Sequence, residues 1–230
     1  MVITLTGGSG CSAGRSSTII FNMVARQVQT WDVLDPNILA LLETTPRELF
    51  TPGAFQALAS SDTFIPIGYD QVMLPPKMVG RILQALDLEK HEVILEIGTG
   101  TGYMTALLSQ LVKHVVSIEI IAPLLDQARH FLIELNCHNI TLEVGNGAYG
   151  FESRNPYNAI IFTGSLPYLP KVLREQLAIN GRLFAVVGEA PAMSAVLLTR
   201  VSKDRWREKV LFETVIPPLL QAPTINGFKF

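Results

Sequence analysis

An apolar strand that runs into alternating glycines and then into a helix is the feature that most constrains how this chain folds. The predicted strand Val93–Ile97 is followed by three glycines at every second position, and residues 103–111 have the apolar spacing of a helix. In open α/β sheets, ligands bind beyond the carboxyl ends of the strands, where glycines let a ligand approach the backbone. We therefore expect a ligand site at residues 96–103.

Short apolar runs and helical segments alternate through this part of the chain. The predicted strands are Val93–Ile97, Val115–Ile118, Thr141–Val144, Ala159–Thr163 and Leu183–Val187, and the predicted helices are 103–111, 122–135 and 167–178. Such alternation is typical of a parallel sheet covered by helices. Two later runs, Ala195–Val201 and Lys209–Ile216, flank a polar turn and predict an antiparallel pair. The expected fold class is α/β, with a Rossmann-like doubly wound, mostly parallel sheet, helices on both faces, an N-terminal helical cap and a C-terminal antiparallel edge.

The N-terminal third of the chain predicts the helical cap. Apolar spacing favours a helix over Ile19–Val28, and Asp35-Pro36 and Thr45-Pro46 each place a capping side chain before a proline at a helix start. Residues 64–77 are rich in proline and glycine, which indicates an ordered loop or short edge strands, and Met78–Leu88 restores the helical spacing. We expect three parts: a flexible leader over 1–18, the helical cap with a substrate-side loop over 19–90, and a Rossmann-like domain over 91–230.

Composition excludes several classes of protein. Apolar residues make up 48% of the chain and charged residues 17%, which describes an ordinary globular protein. The net charge of -2 comes with no dense run of Lys or Arg, so nucleic acid is not an expected partner. No apolar stretch reaches the roughly 20 residues that span a bilayer, so a membrane is not expected either. Cys11 and Cys137 are the only cysteines and form no CxxC pair, so we expect neither a disulfide framework nor a metal site. This use of cysteine also predicts a cytoplasmic location. The oligomeric state is left open.

The spacing of the glycines distinguishes between possible ligands. A dinucleotide-binding turn has the pattern G-x-G-x-x-G, but here Tyr103 stands where the third glycine would fall, and the Gly-Lys of a triphosphate loop is also missing. NAD is disfavoured but stays an alternative. The pattern Glu96-x-Gly98-x-Gly100-x-Gly102 resembles the first motif of class I methyltransferases, which use S-adenosylmethionine. Because that molecule carries an ammonium and a sulfonium, an acid such as Glu96 has an electrostatic role near the loop.

Two further positions agree with an adenosyl ligand. Glu119 closes the next apolar strand about 20 residues after the first glycine, where a carboxylate accepts the ribose hydroxyls of an adenosine. Asn146 and Gly147 follow the third strand, where a short polar side chain can meet the adenine edge. Each also has a simpler interpretation, as a charged strand end and as an Asn-Gly turn. The predicted cofactor-binding residues are Glu96, Gly98, Thr99, Gly100, Gly102, Tyr103, Glu119, Asn146 and Gly147.

Four segments of the chain carry a more specific pattern. They are Pro46–Pro52, Ile65–Gln71, Leu95–Tyr103 and Asn180–Gly188. Together they resemble the protein-L-isoaspartate O-methyltransferases, which methylate the isoaspartyl carboxylate of aged proteins, and the resemblance extends from about Phe21 to the C-terminal region. It implies a protein-repair enzyme with S-adenosylmethionine as its cofactor and an isoaspartyl-containing protein or peptide as its partner.

The chain departs from the pattern of that family beside the expected substrate. The family usually has Thr-Ile-Ser after its G-x-G-Q approach, with the serine beside the cofactor and the substrate carboxylate, whereas Leu74 stands at the serine position here. Asn146 and Asn158 each stand where the family has an Asp. The predicted loop Gly68–Pro76 folds over the cofactor and forms the substrate-side wall with Thr163–Pro167. The predicted substrate-side residues are Gln71, Val72, Met73, Leu74 and Thr163.

No catalytic residue is assigned. A carboxylate with a reference pKa of about 4 is already ionised at neutral pH, so methyl transfer to it needs alignment rather than a general base. The four histidines are scattered and are expected to be structural or surface residues: His91, His114, His130 and His138. The missing serine leaves two alternatives open, a methyltransferase with a different acceptor and a non-catalytic protein that binds S-adenosylmethionine.

Overall fold

The computed structural model describes residues 19–224, and the predicted leader lies outside them. The strands are β1 (Ile65–Gly68), β2 (Gln71–Met73), β3 (Val93–Ile97), β4 (His114–Glu119), β5 (Ile140–Val144), β6 (Tyr157–Leu166), β7 (Leu177–Glu189), β8 (Ala192–Ser202) and β9 (Arg205–Glu213). The α-helices are α1 (Pro36–Thr44), α2 (Pro76–Leu86), α3 (Tyr103–Leu111), α4 (Ala122–Glu134) and α5 (Lys171–Glu175). Within residues 19–224, none of the helices has the length and hydropathy needed to cross a bilayer.

The large sheet confirms the predicted architecture. Its seven strands have the order β5-β4-β3-β6-β7-β8-β9, with parallel pairing from β5 to β7 and antiparallel pairing of β8 with both β7 and β9. The chain moves outward from β3 to β4 and β5, and it then returns to the other side of β3 as β6. This reversal opens a crevice beyond the carboxyl ends of β3, β4 and β6, which is where open α/β sheets bind ligands.

Alternate residues of the central strands face two hydrophobic cores. Ile94 packs in the core that contains Leu42 and Phe50 of the cap, whereas Leu95 packs in the opposite core with Ile160. This is the period-two alternation of a strand that is buried on both faces. The cap therefore shares its core with the sheet, which fixes the substrate-side loop relative to β3. The division of the chain near residue 90 stays a prediction.

The helices of the cap follow local signals, with some differences. Asp35 caps α1 as predicted, because its Oδ1 accepts a hydrogen bond from the backbone N–H of Asn37 at 2.8 Å. The start predicted at Thr45-Pro46 leads only to a 3₁₀ turn, Arg47–Phe50, since Thr51 precedes a proline and is extended. Helix α2 ends at Leu86, two residues earlier than predicted, because Asp87 adopts a left-handed φ of 46°.

The helix predicted over residues 167–178 is wrong in most of its length. Only Lys171–Glu175 is helical, and Leu177 already begins β7, where it pairs with Tyr157 of β6. Pro167 and Pro170 keep the first residues of this segment out of the helix, since each lacks a backbone donor and restricts the residue before it. Strand β9 also ends earlier than predicted, at Glu213, and the chain then leaves the sheet.

Candidate functional site

A cavity lies beyond the carboxyl ends of β3, β4 and β6. Most of the predicted site residues line it, and they come from segments far apart in the sequence. The lining residues predicted from the sequence are Gln71, Val72, Met73, Leu74, Gly98, Thr99, Gly100, Tyr103, Glu119, Asn146, Gly147 and Thr163. The structure therefore brings the predicted cofactor side and substrate side together around one space.

The first two glycines of the turn after β3 keep this space open. Gly98 has a φ of 95°, and a Cβ there would lie 2.2 Å from the Thr163 Oγ1. Gly100 has a φ of 56°, and its Cβ would lie 3.2 Å from the Cδ1 of Ile67. Left-handed backbone is strained for residues with a Cβ, so both positions favour glycine in conformation as well as in space.

Gly102 has a different role and lies outside the cavity lining. It is the residue before α3, with a φ of 92°, and a Cβ there would lie 3.1 Å from the Cβ of Ala128 in α4. The third glycine thus lets the turn pack closely against α4. Gly102 thus supports the turn from outside the cavity lining, and its predicted part in cofactor binding stays a prediction.

Glu119 is the one charged side chain among the described residues that line the cavity. Its Oε2 accepts a hydrogen bond from the backbone N–H of Gly100 at 2.8 Å, and its Oε1 accepts one from that of Ile121 at 3.0 Å. Both oxygens retain lone pairs, since a carboxylate has about four acceptor sites. The carboxylate is therefore fixed in orientation and can still accept hydroxyl groups from a ligand.

Glu96 does not line the cavity, although its position in the motif suggested a direct role. It is fully buried behind the turn, where its Oε2 accepts hydrogen bonds from Thr105 at 2.5 Å and from Ser117 at 2.6 Å. Burial raises the pKa of this carboxyl to about 7. The Ser117 hydroxyl also lies 2.6 Å from that of Thr99, so Glu96 supports the turn through a chain of hydroxyls.

The loop after β5 forms another wall of the cavity. The Oδ1 of Asn146 accepts a hydrogen bond from the backbone N–H of Ala148 at 2.9 Å, and its Nδ2 lies 3.3 Å from the Oε1 of Gln221. A Cβ at Gly147 would lie 2.9 Å from the Cγ2 of Ile97 at the end of β3. A glycine here lets the loop pack directly on β3, and Asn146 stays at the rim.

The substrate-side loop lies beside the glycine turn and begins as a β1–β2 hairpin, and its folding over a cofactor stays a prediction. Val72 pairs with Pro66 and Met73 with Ile65, and Leu74 follows with its side chain buried. Opposite this wall, the Thr163 hydroxyl donates to the carbonyl of Gly98 at 2.7 Å.

Sequence reasoning missed one wall of the cavity, the segment Pro217–Leu220 after β9. Two backbone hydrogen bonds hold this segment against β6. The N–H of Ser165 donates to the carbonyl of Pro217 at 2.9 Å, and the carbonyl of Ser165 accepts a hydrogen bond from the N–H of Leu219 at 3.0 Å. The strand predicted over Lys209–Ile216 stops just before this segment, and local sequence patterns do not indicate where the chain goes next. Ile67, Met104 and Leu124 are further lining residues that were not predicted.

The described part of the chain shows no candidate metal site beside the cavity. Within residues 19–224 there is no group of three or more His, Cys, Asp or Glu side chains placed to hold an ion. The histidines also lie apart from the cavity lining. The described residues that line the cavity offer one carboxylate, backbone amides and hydroxyls among apolar side chains.

Comparison with known proteins agrees with this geometry. The family model described as Protein-L-isoaspartate(D-aspartate) O-methyltransferase matches residues 17–221. A protein-L-isoaspartate O-methyltransferase from Syntrophus aciditrophicus (strain SB) is 42% identical over 182 residues, which cover 79% of this chain and 84% of that protein. Protein-L-isoaspartate O-methyltransferase 1 of Rhodopseudomonas palustris (strain HaA2) is 39% identical over 199 residues, covering 86% and 81%.

Solved structures show the same fold. One protein-L-isoaspartate O-methyltransferase superposes with a TM-score of 0.75 at 22% identity, over 89% of this chain and 65% of the other. A beta-aspartate methyltransferase (PCMT) from Plasmodium falciparum, solved in complex with S-adenosyl-L-homocysteine, has a TM-score of 0.73 at 17% identity, over 89% and 98%. By its sequence match over nearly the whole length, the chain belongs to the protein-L-isoaspartate(D-aspartate) O-methyltransferase family.

Proposed function

We propose that this chain transfers a methyl group from S-adenosylmethionine to the carboxylate of an isoaspartyl residue in a protein or peptide. The observation that carries the proposal is the single cavity that joins the glycine turn and Glu119 to the β1–β2 hairpin. A donor on the turn and an acceptor against the hairpin would then be held in one space. Membership in the family supports the choice of reaction.

The residues present fit the proposed cofactor. Gly98, Gly100 and Gly147 leave a cradle that a Cβ at any of them would obstruct or distort. Glu119 is held by two backbone amides in a position to accept ribose hydroxyls, and its negative charge favours a cationic ligand. When bound, S-adenosylmethionine supplies a methyl group activated by its sulfonium.

The acceptor needs alignment and the removal of water. A carboxylate is ionised at neutral pH, so no residue has to remove a proton from it. Val72, Met73 and Leu74 on one side and Pro217–Leu220 on the other are mainly apolar and exclude water from the space between them. Holding two reactants in a reactive geometry is worth roughly 7–11 kcal/mol at its upper limit, so positioning alone provides a large part of the acceleration.

A second acceptor class is favoured by one observation. Leu74 lines the cavity and is 6% exposed, and it offers no hydrogen bond where the family has a serine. An acceptor with an apolar group beside its carboxylate would fit this wall.

The cytoplasmic location predicted from the cysteines stays a prediction.

Substitution of Gly98 tests the cofactor cradle. Gly98→Ala places a Cβ 2.2 Å from the Thr163 Oγ1 at a φ of 95°, so we expect the affinity for S-adenosylmethionine to fall more than about tenfold in calorimetry. Gly53→Ala is the matched control, because a Cβ at Gly53 has nothing within 4 Å. Equal affinity in both variants would contradict the cofactor site.

The pH dependence of stability tests the place of Glu96. Its pKa is raised from 4.5 to about 7 in the folded state, so its contribution to stability is present below pH 4.5 and is lost as the pH rises through 7. Relative to Glu96→Gln, the wild type should therefore lose roughly 2 to 3 kcal/mol of unfolding free energy between pH 5 and pH 8. Urea denaturation at both pH values measures this loss. Glu143→Gln on the exposed end of β5 is the control, and parallel pH profiles for wild type and Glu96→Gln would show that Glu96 is not buried as described.

Transfer of labelled methyl groups tests the acceptor. We expect base-labile label on an isoaspartyl peptide and none on the matching aspartyl peptide. Leu74→Ser should raise kcat/KM for the isoaspartyl peptide by about 10-fold or more, since a hydrogen bond to a charged group contributes about 1.5–3 kcal/mol. Leu74→Ala separates the added hydroxyl from the added space. If neither the wild type nor Leu74→Ser transfers label to either peptide, the proposed acceptor is refuted.

A further inference from the structure

The guanidinium of Arg47 is buried in the cap without a carboxylate partner. The residue is 3% exposed, and none of the ion pairs found within residues 19–224 includes it. An unpaired buried cation costs several kcal/mol unless other contacts compensate for its lost hydration. The contacts that Arg47 does make therefore indicate what the residue is retained for.

Those contacts join two segments of the cap. The Nε of Arg47 donates to the carbonyl of Ala59 at 2.9 Å, and its Nη2 donates to the carbonyl of Leu74 at 2.7 Å. Planar donors in a fixed fork suit two such acceptors, and a lysine ammonium lacks that geometry. One side chain thus ties Ala59, which follows the 3₁₀ turns of the cap, to the last residue of the substrate-side wall.

The wall depends on this tie because of the residues that follow it. Leu74 is succeeded by Pro75 and Pro76, neither of which has a backbone N–H that could fix the chain. The side chain of Leu74 lines the cavity, and strand β2 immediately before it pairs only with the short β1. A hydrogen bond to the Leu74 carbonyl therefore sets how far this wall reaches into the cavity.

Arg47 also contacts the other side of the site. Its Cζ lies 4.9 Å from the ring centroid of Tyr103, the first residue of α3, and Tyr103 lines the cavity directly after the glycine turn. Burial raises the pKa of the Tyr103 hydroxyl, and the Arg47 guanidinium beside it opposes that shift through its charge and a hydrogen bond. The guanidinium thus packs between Leu74 of the substrate-side wall and Tyr103, which directly follows the glycine turn.

We propose that Arg47 is a positioning residue that sets the distance between the substrate-side wall around Leu74 and the glycine turn after β3. It touches neither reactant, and it acts through the Leu74 carbonyl and the Tyr103 ring. The inference rests on the proposed function for its kinetic readout. It predicts that loss of the two Arg47 hydrogen bonds, to the carbonyls of Ala59 and Leu74, displaces the acceptor more than the cofactor. In the proposed site the glycines and Glu119, and not Arg47, hold the cofactor.

Arg47→Lys and Arg47→Met test the inference by calorimetry with S-adenosylmethionine and by steady-state kinetics on an isoaspartyl peptide. We expect both variants to lower kcat/KM for the peptide by about 10-fold to 100-fold, as small misplacements of reactants do, while the Kd for S-adenosylmethionine changes less than about threefold. Arg47→Lys keeps a buried cation and should lose less than Arg47→Met. Arg81→Met is the control, since Arg81 also packs on a ring, Phe212, and donates to a backbone carbonyl away from the cavity.

The possible outcomes separate positioning from a structural role. Unchanged kcat/KM in both variants, or an equal loss in peptide kinetics and in cofactor affinity, would overturn the inference. Failure of both variants to fold would overturn it as well, because Arg47 would then support the fold as a whole. A loss confined to the peptide side, absent in Arg81→Met, supports it.

Hydrogen exchange gives a readout that does not depend on the acceptor. In Arg47→Lys, the amides of the β1–β2 hairpin should exchange faster than in the wild type, while those of β4 keep their rates. Wild-type activity on the peptide tests the proposed function, whereas this comparison tests Arg47 even if another acceptor is the true one. Equal exchange of the hairpin in both proteins would overturn the inference.

Discussion

The backbone of the turn after β3 is held from both neighbouring strands, and the site is built on that restraint. On one side, the backbone N–H groups of Gly98 and Thr99 donate to the carbonyl of Ile118, and that of Gly100 donates to the Glu119 carboxylate. On the other, the Thr163 hydroxyl of β6 donates to the carbonyl of Gly98. The left-handed turn is therefore held between these two strands, which lie on either side of β3 because the strand order reverses there.

Charge is distributed around the cavity in a way that suits the proposed reaction. Glu119 presents a fixed negative charge where the cofactor is expected, and the carboxyl of Glu96, which lies behind the turn, has its pKa raised to about 7 by burial. The wall opposite is apolar, with the Arg47 guanidinium buried behind it. In the proposed reaction, an anionic acceptor would face apolar side chains with the Arg47 cation behind them, and a cationic donor would lie beside the Glu119 carboxylate.

The sequence predicted the parts of the fold that local patterns determine. Strand β3 has the predicted bounds, because its apolar run is bordered by charged residues before it and glycines after it. The helix expected at 167–178 failed because strand pairing between Tyr157 and Leu177 prevailed over local helical spacing. The place of Pro217–Leu220 was beyond prediction, since it depends on hydrogen bonds to Ser165 in another strand.

The same distinction applies within the site. Because β3 is buried on both faces, the carboxyl of Glu96 is buried too, whereas the motif suggested a role of that carboxyl near the ligand. Arg47 gave no signal beyond its place in a family-like segment, because its role appears only when Ala59, Leu74 and Tyr103 come together in the fold.

The most direct test of this account is a crystal structure of the chain grown with S-adenosylmethionine. The account predicts density for the donor across Gly98 and Gly100, with the ribose hydroxyls within hydrogen-bond distance of the Glu119 carboxylate and the methyl group facing the β1–β2 hairpin. A donor bound elsewhere, or a turn that stays filled by the chain's own side chains at saturating donor, would contradict it.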